Sequence, residues 1–519
     1  MSLSEHPPLP GLGHQPGNEE VRSLLYQQQE KHSSHGLSER TASRFSIEYE
    51  KDGGETLVSV VHEAKKILHL AAPLVVSALS GFVVPLVQLA FVGHLGKHEL
   101  SIAVLSASFF NVTGYSFIVG SLGAFETLAG QMFGAKKYDA LGTILQRALL
   151  LTTLLCVMVS ILWTQIHRVM LLFGQEEELA KGSSVFLLMN VPSLFFMTWT
   201  ETLKRWFMCQ SLVMAPTVAA LIAAAFTPFL NYLFIVVYQW RLHGAALAAN
   251  LAQFTPLVIL MCMGYLREKN LKASGSPERT WHGFSTESLQ NWKSYFKLAI
   301  PSAAMVCLEW WTFELCLLMS GWLDNPELHV AVMGLSLNLS GLFYMLPMGV
   351  GSASSVRVSN AIGGRLPRGA RRSAWTAVGI TMVGQVVIGT VLILGREQVG
   401  SIFSNDREVL EAAASLFFLI AICMVGDGLN ASIGGALRGL GRQELGAIFN
   451  LVSYWCVGIP LAWTLAFKVG LGLVGLWIGL CSCAMLNGIV MALALGCFIK
   501  WDEAVENSVA RHHAGTLGD

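Results

Sequence analysis

Two glutamates, Glu309 and Glu314, flank a tryptophan pair in CLEWWTFE (307–314), inside a run that is otherwise apolar. A carboxylate at the centre of a bilayer costs on the order of 3 kcal/mol on insertion scales. A third acid, Asp427 in VGDGLN (425–430), stands in an equally apolar setting. Burial disfavours the charged form of a carboxyl group and a second acid nearby does so further, so such groups suit the uptake and release of protons. When ionised they attract cations, and a proton and a cationic solute then compete for one site. The competing reading is a structural one, with each acid satisfied by buried hydrogen bonds or an unseen arginine. No Lys or Arg is expected at mid-span to neutralise them, which favours the functional reading.

The elements that must position these acids are membrane helices. Of 519 residues, 53% are hydrophobic and 13% charged, about half the roughly 25% charged residues of a soluble domain. Twelve apolar runs of spanning length centre near Val83, Phe117, Leu155, Leu194, Ala225, Gln253, Phe313, Phe343, Gly384, Ile420, Gly458 and Gly488. Span seven starts near Phe296, so Glu309 lies about thirteen residues, or roughly 20 Å, in. Span ten runs the other way and emerges at Arg438, so Asp427 lies about eleven residues, or roughly 16 Å, from the same face. The two acids are therefore expected to share a cavity. Glu314, about 140° further round the helix and a turn nearer the opposite face, either lines an outer vestibule or packs at an interface.

Trp310 and Trp311 are too deep for an interfacial aromatic belt. A cation over an indole face gains about 0.5 to 2 kcal/mol, and plain packing accounts for the pair equally well. Asn338 and Tyr344 in span eight are further candidates for the cavity wall. Glu201 stands four residues before Arg205, the favoured order for an intrahelical ion pair. Glu126 and Arg147, at the ends of spans two and three, read with that pair as structural or gating charges.

Residues 1–60 hold 14 of the 68 charged residues and are rich in Ser, Gln, His and Glu, the composition of a disordered tail. No basic start followed by an apolar core marks a signal peptide. The ten cysteines, Cys156 to Cys497, fall inside apolar segments rather than at paired loop spacings, which argues against disulfides and metal sites and for small packing residues. The Asn-x-Ser/Thr matches at Asn111, Asn338 and Asn430 lie within spans and are poor glycosylation sites. With 34 basic and 34 acidic residues, nothing points to nucleic acid. Lys and Arg collect in the even-numbered connections (Lys136, Lys137, Lys204, Arg205, Arg267, Lys269, Lys272, Arg279, Arg365, Arg368, Arg371, Arg372, Arg438, Arg442), which places both termini in the cytosol.

The longest of these connections divides the chain into six spans and six, and landmarks recur across it at a nearly constant offset. Pro73 pairs with Pro301, Gly120–Gly134 with Gly349–Gly363, Phe173 with Phe403, Arg205 and Gln210 with Arg438 and Gln443, and Pro228 with Pro460. A duplicated half is the simplest account, and an even number of spans per half makes the repeats parallel, with an interface that suits a solute cavity. The expected organisation is a cytosolic tail at 1–60, a first lobe at 61–267, an inter-lobe loop at 268–292, a second lobe at 293–500 and a cytosolic tail at 501–519.

The chain resembles the multidrug and toxin extrusion (MATE) transporters, most of all their plant and algal detoxification branch. The similarity runs from about Ala71 to Lys500 and is carried by FVGHLG (91–96), SFFNVTGYS (108–116), ETLAGQMFGA (126–135), LQRA (145–148), LAIPSAAMVCLEWWTFEL (298–315), YMLPMGV (344–350), RVSNAIG (357–363), LRGLGRQELGAIFN (437–450) and GLWIG (475–479). The resemblance implies an all-α membrane protein of twelve helices in two six-helix lobes that exports organic compounds by proton antiport. The family's acids in spans seven and ten fall on Glu309, Glu314 and Asp427. The sequence departs from the family at Glu201, where a Gln is usual, and at Met208, likewise usually Gln.

The expected function is proton-coupled, alternating-access export of organic, chiefly cationic, metabolites or xenobiotics by a monomer that needs no cofactor beyond the proton gradient. The rivals are a lipid-linked precursor flippase, whose cavity calls for basic groups, and an intramembrane aspartyl protease, in which duplicated halves have no role. The segment EVRSLL (20–25) has the form of a vacuolar sorting signal, so plasma and vacuolar membranes rank equally.

Overall fold

The computed structural model describes residues 57–172, 174–395 and 407–514. Nearly all of the N-terminal tail, EVRSLL and the Phe173–Phe403 repeat pair lie outside the described residues.

The apolar runs form helices of spanning length: α1 (Ser59–Gly93), α2 (Lys97–Gly134), α3 (Tyr138–Trp163), α4 (Glu177–Met189 and Val191–Cys209), α5 (Met214–Val237), α6 (Arg241–Ala273), α7 (Trp292–Ser320), α8 (Leu328–Gly363), α9 (Pro367–Leu394), α10 (Ser415–Leu440), α11 (Gln443–Lys468) and α12 (Gly472–Phe498). Taking the bent α4 as one span, they number twelve. The protein is thus an all-α, multi-pass membrane protein. The 47° bend of α4 falls at Asn190–Pro192, where proline has no N–H to offer the Leu188 carbonyl; the Asn190 backbone N–H turns to the Leu187 carbonyl, and its side-chain amide donates to the Phe186 carbonyl at 2.8 Å.

Large apolar side chains such as Ile161, Phe229, Val383 and Leu493 point outward, as hydrocarbon surroundings require. Each lobe has its own packed interior, around Phe125, Leu141 and Trp206 in the first and around Phe417, Leu476 and Trp477 in the second. In α2 the ladder widens into a π turn over Asn111–Tyr115, a local device that often re-aims side chains at functional positions.

Two expected boundaries differ. The inter-lobe loop is shorter than 268–292 because α6 continues to Ala273, and the remainder contains a 3₁₀ turn at Thr286–Leu289. Buried Glu268 holds it by accepting from the Thr280 and Trp281 amides at 3.1 and 3.0 Å. The C-terminal segment is no simple tail but carries helix α13 (Trp501–Ala514). Trp501, Ala504 and Ser508 are buried on one face of it, a helical stripe too short and polar to read as a span.

The lobes meet closely at the end of the bundle where the basic connections gather, called here the basic end. The carbonyls of Asn360 and Gln131 lie where a methyl group on Gly134 and on Gly363 would have to go. Each contact maps onto the other when 229 is added to the first-lobe number, so the repeat seen in sequence is a pseudo-two-fold contact in space. Only glycine permits backbones this close.

Candidate functional site

Between the lobes, above the basic-end closure, is a cavity of about 590 Å³ lined by α1, α2, α4–α8 and α10. It is bounded toward the basic end by Lys204, Leu260 and Met348 and extends to Pro85, Leu317 and Gly334. The last of these is about six residues, or roughly 9 Å, from the start of α8.

Glu309, Glu314 and Asp427 all line this one cavity, as do Trp310, Trp311, Asn338 and Tyr344. Asp427 is buried and its Oδ1 has no hydrogen-bond partner among the described residues. Its Oδ2 has the Cys423 thiol at 3.7 Å. Tyr344 and Asn450 lie near the Glu309 carboxyl group, and Glu309 is close enough to Asp427 for the two acids to interact electrostatically. Asn450 also donates to the Met305 carbonyl at 2.7 Å and accepts from Asn487 at 2.8 Å, which fixes its orientation beneath the acid. Glu314 accepts a hydrogen bond from Ser108 of α2 at 3.1 Å and so belongs to the vestibule wall facing the first lobe. The Trp310 ring lies 6.1 Å from that of Tyr115, and the Trp311 indole donates to Ser116 at 3.2 Å. The Asn338 side chain donates to the Gly334 carbonyl at 2.9 Å, and Gly334 and Gly341 of the same helix line the cavity.

The first-lobe charges are arranged differently. Glu126 accepts from Arg205 at 2.8 Å, from Arg438 at 3.1 Å and from Ser355 at 3.1 Å. Arg205 also binds Glu201 at 2.6 Å, and Lys204 reaches the other Glu201 oxygen at 3.3 Å. Arg438 and Ser355 come from the second lobe, so Glu126 is the centre of an inter-lobe clasp. Around it Gln131 donates to the Gly439 carbonyl at 3.0 Å and Gln443 to Thr127 at 2.7 Å. Ser508 and Arg511 of α13 bond Gln131 at 3.0 and 3.1 Å. A second clasp joins Glu63 of α1 to Arg357 of α8 at 2.7 and 2.9 Å, with Ser373 of α9 on the same carboxylate at 2.5 Å.

Two sequence expectations need correction, and the expected Glu201–Arg205 pair is extended. Arg147 takes no part in the Glu126 network, because its guanidinium is turned to the Ser288 and Glu287 carbonyls of the inter-lobe loop at 3.3 and 3.0 Å. Glu201 does pair with Arg205, but it also faces the cavity. The acids are not remote from every cation, since Arg438 acts electrostatically on Glu309 and Lys204 lines the same cavity. In the sequence, Lys204 counts with the basic connections because it lies near the end of a span. The clasp was partly visible: Arg205 repeats as Arg438, and an offset of 229 takes Glu126 to Ser355.

Twelve helices in two pseudo-symmetric lobes around an acidic central cavity define a multi-span solute transporter. The MatE family model matches residues 73–233 and 301–464, and the chain belongs to that family. It is 36% identical over 456 residues to Protein DETOXIFICATION 16 of Arabidopsis thaliana, covering 87% of this chain and 92% of that one. It is 35% identical to Protein DETOXIFICATION 17 of the same plant over 89% and 95% of the two chains. The eukaryotic MATE transporter AtDTX14 superposes with a TM-score of 0.82 at 31% identity, over 87% of this chain and 99% of that one. A MOP superfamily transporter from Pyrococcus furiosus shares the fold with a TM-score of 0.72 at 16% identity, over 88% and 97%.

Proposed function

We propose that this MATE transporter is a proton-coupled antiporter that exports organic cations by alternating access, as the detoxification names of its relatives suggest. The observation that carries the reading is the pair Glu309 and Asp427 on one cavity wall, with one Asp427 oxygen buried and without a donor. An isolated buried carboxylate is costly to ionise and is relieved by either a proton or a cation. In the cation-loaded state the two acids supply counter-charge, and Trp310 and Tyr115 supply aromatic faces. Protons arriving from the acidic side neutralise the acids, the cation loses its counter-charge, and it leaves. Deprotonation on the other side restores the site.

The clasps at the basic end hold the cavity shut from that side. With the basic end cytosolic, they are the contacts that must open to admit solute. Moving one charge across 100 mV is worth about 2.3 kcal/mol, so exchange of one proton for one monovalent cation is electroneutral and runs on the pH gradient alone. Proteoliposomes with an imposed pH gradient test this directly. Uptake of a fluorescent organic cation should follow the pH gradient and be indifferent to a potassium-diffusion potential. Uptake that follows the potential, or wild-type rates in Glu309→Gln, would overturn the reading.

A further inference from the structure

The first-lobe wall of the cavity carries a cation beside a carboxylate, whereas the charged residues of the second-lobe wall, among those described, are all carboxylates. Four carboxylates line the cavity, Glu201, Glu309, Glu314 and Asp427, and among the described lining residues one cation, Lys204, does so. Among the described residues Lys204 has one ionic partner, Glu201 at 3.3 Å, and that carboxylate is held more closely by Arg205 at 2.6 Å. Arg205 and Arg438 in turn share Glu126. Within this ion-paired group three cations face two carboxylates; Glu201 and Lys204 are its members on the cavity wall, and Arg438 also acts on Glu309. An ammonium group has three donors, and here one is used. One helical turn away, Thr200 lines the same wall, and its buried hydroxyl has no partner among the described residues. Tyr115, which lines the same cavity, is close enough to Glu201 and Arg205 to interact with them electrostatically.

We propose that this arm is a subsite for an anionic group, a carboxylate or phenolate, bound by Lys204 and Thr200. The preferred substrates are then amphoteric amphiphiles that carry a cationic nitrogen for Glu309 and Asp427 and an anion for Lys204, joined by an apolar or aromatic body. This rests on the cation-binding role given above to Glu309 and Asp427 and adds a second, opposite contact to it. It also gives a reason for a glutamate at 201: a carboxylate shared between Lys204 and Arg205 keeps the ammonium extended along the wall, yet leaves it under-compensated.

Rhodamine B and its ethyl ester differ by one carboxylate on a common cationic body and are both fluorescent. Their binding to the purified full-length protein in detergent, followed by fluorescence polarisation, reads the subsite without requiring transport. The acid-to-ester affinity ratio should be about tenfold higher in the wild type than in Lys204→Gln, as expected for a desolvated charge pair. Lys204→Arg should retain most of that ratio. Thr200→Val, which keeps the charge and loses only the hydroxyl, should lower it about threefold and gives a second reading if Lys204→Gln does not fold. The same ratio in wild type, Lys204→Gln and Thr200→Val would overturn the subsite. Glu309→Gln should weaken both dyes alike. Failure of that result, with the Lys204 effect present, would count against the cation site and leave the anion subsite standing.

Discussion

Glu126 and Glu309 are the same residue type, both part-buried between the lobes, and they differ in what surrounds them. Glu126 is saturated by two guanidinium groups and a hydroxyl drawn from both lobes. Glu309 has the neutral Tyr344 and Asn450 nearby, a second acid beside it and, among the described residues, Arg438 acting on it without an ion-pair contact. A saturated carboxylate is a structural joint, because removing it strands the cations around it. An under-saturated one is available to exchange partners, and that exchange is what proton coupling needs. Burial alone distinguishes neither role; the charge of the neighbours does.

Substitutions can break this comparison. The largest effect is expected on transport: Glu309→Gln and Asp427→Asn should each lower pH-gradient-driven uptake at least about 100-fold in proteoliposomes, while thermal melting followed by tryptophan fluorescence stays at or above wild type. A lowered melting point in both would make these acids structural. Next comes Glu126→Gln, which leaves Arg205 and Arg438 facing each other and should cost about 3 kcal/mol of stability in the same melt. An unchanged melting point would show that the clasp carries little weight. Gly363→Ala places a methyl group against the Gln131 carbonyl and should cost about 2 kcal/mol through overpacking. It should also raise the reactivity of a cysteine placed at the seam toward a reagent added from the basic end. The smallest effect is that of Gln131→Ala, which removes hydrogen bonds from Gly439, Ser508 and Arg511 and should cost about 1 kcal/mol, seen as faster proteolysis of α13.

The spans were legible because membrane helices report themselves through composition and length. The pairing of Glu309 with Asp427 was legible because depth along an antiparallel pair of helices is simple arithmetic at a fixed rise per residue. Arg147 was misplaced for the opposite reason: nearness to the end of a span does not say toward which neighbour a long side chain turns, and here the inter-lobe loop took it. The C-terminal helix was missed because its buried stripe is three or four residues wide and mostly small or polar. Lys204 was missed because a lysine one turn from a helix end can reach either water or a cavity, and only the packing of α4 against α5 and α6 decides which.

By itself the sequence determined the number of spans, the duplication, the intramembrane acids and their depth, since each follows from periodicity, composition and rise per residue along one chain. Only the tertiary structure decided which carboxylates are saturated and which are free to bind. That depends on groups hundreds of residues apart, Glu126 with Arg438 or Glu63 with Arg357, brought together by two lobes whose glycines let their backbones touch. Electrostatic character falls off with distance in space rather than along the chain, so it became visible once the lobes were closed on each other.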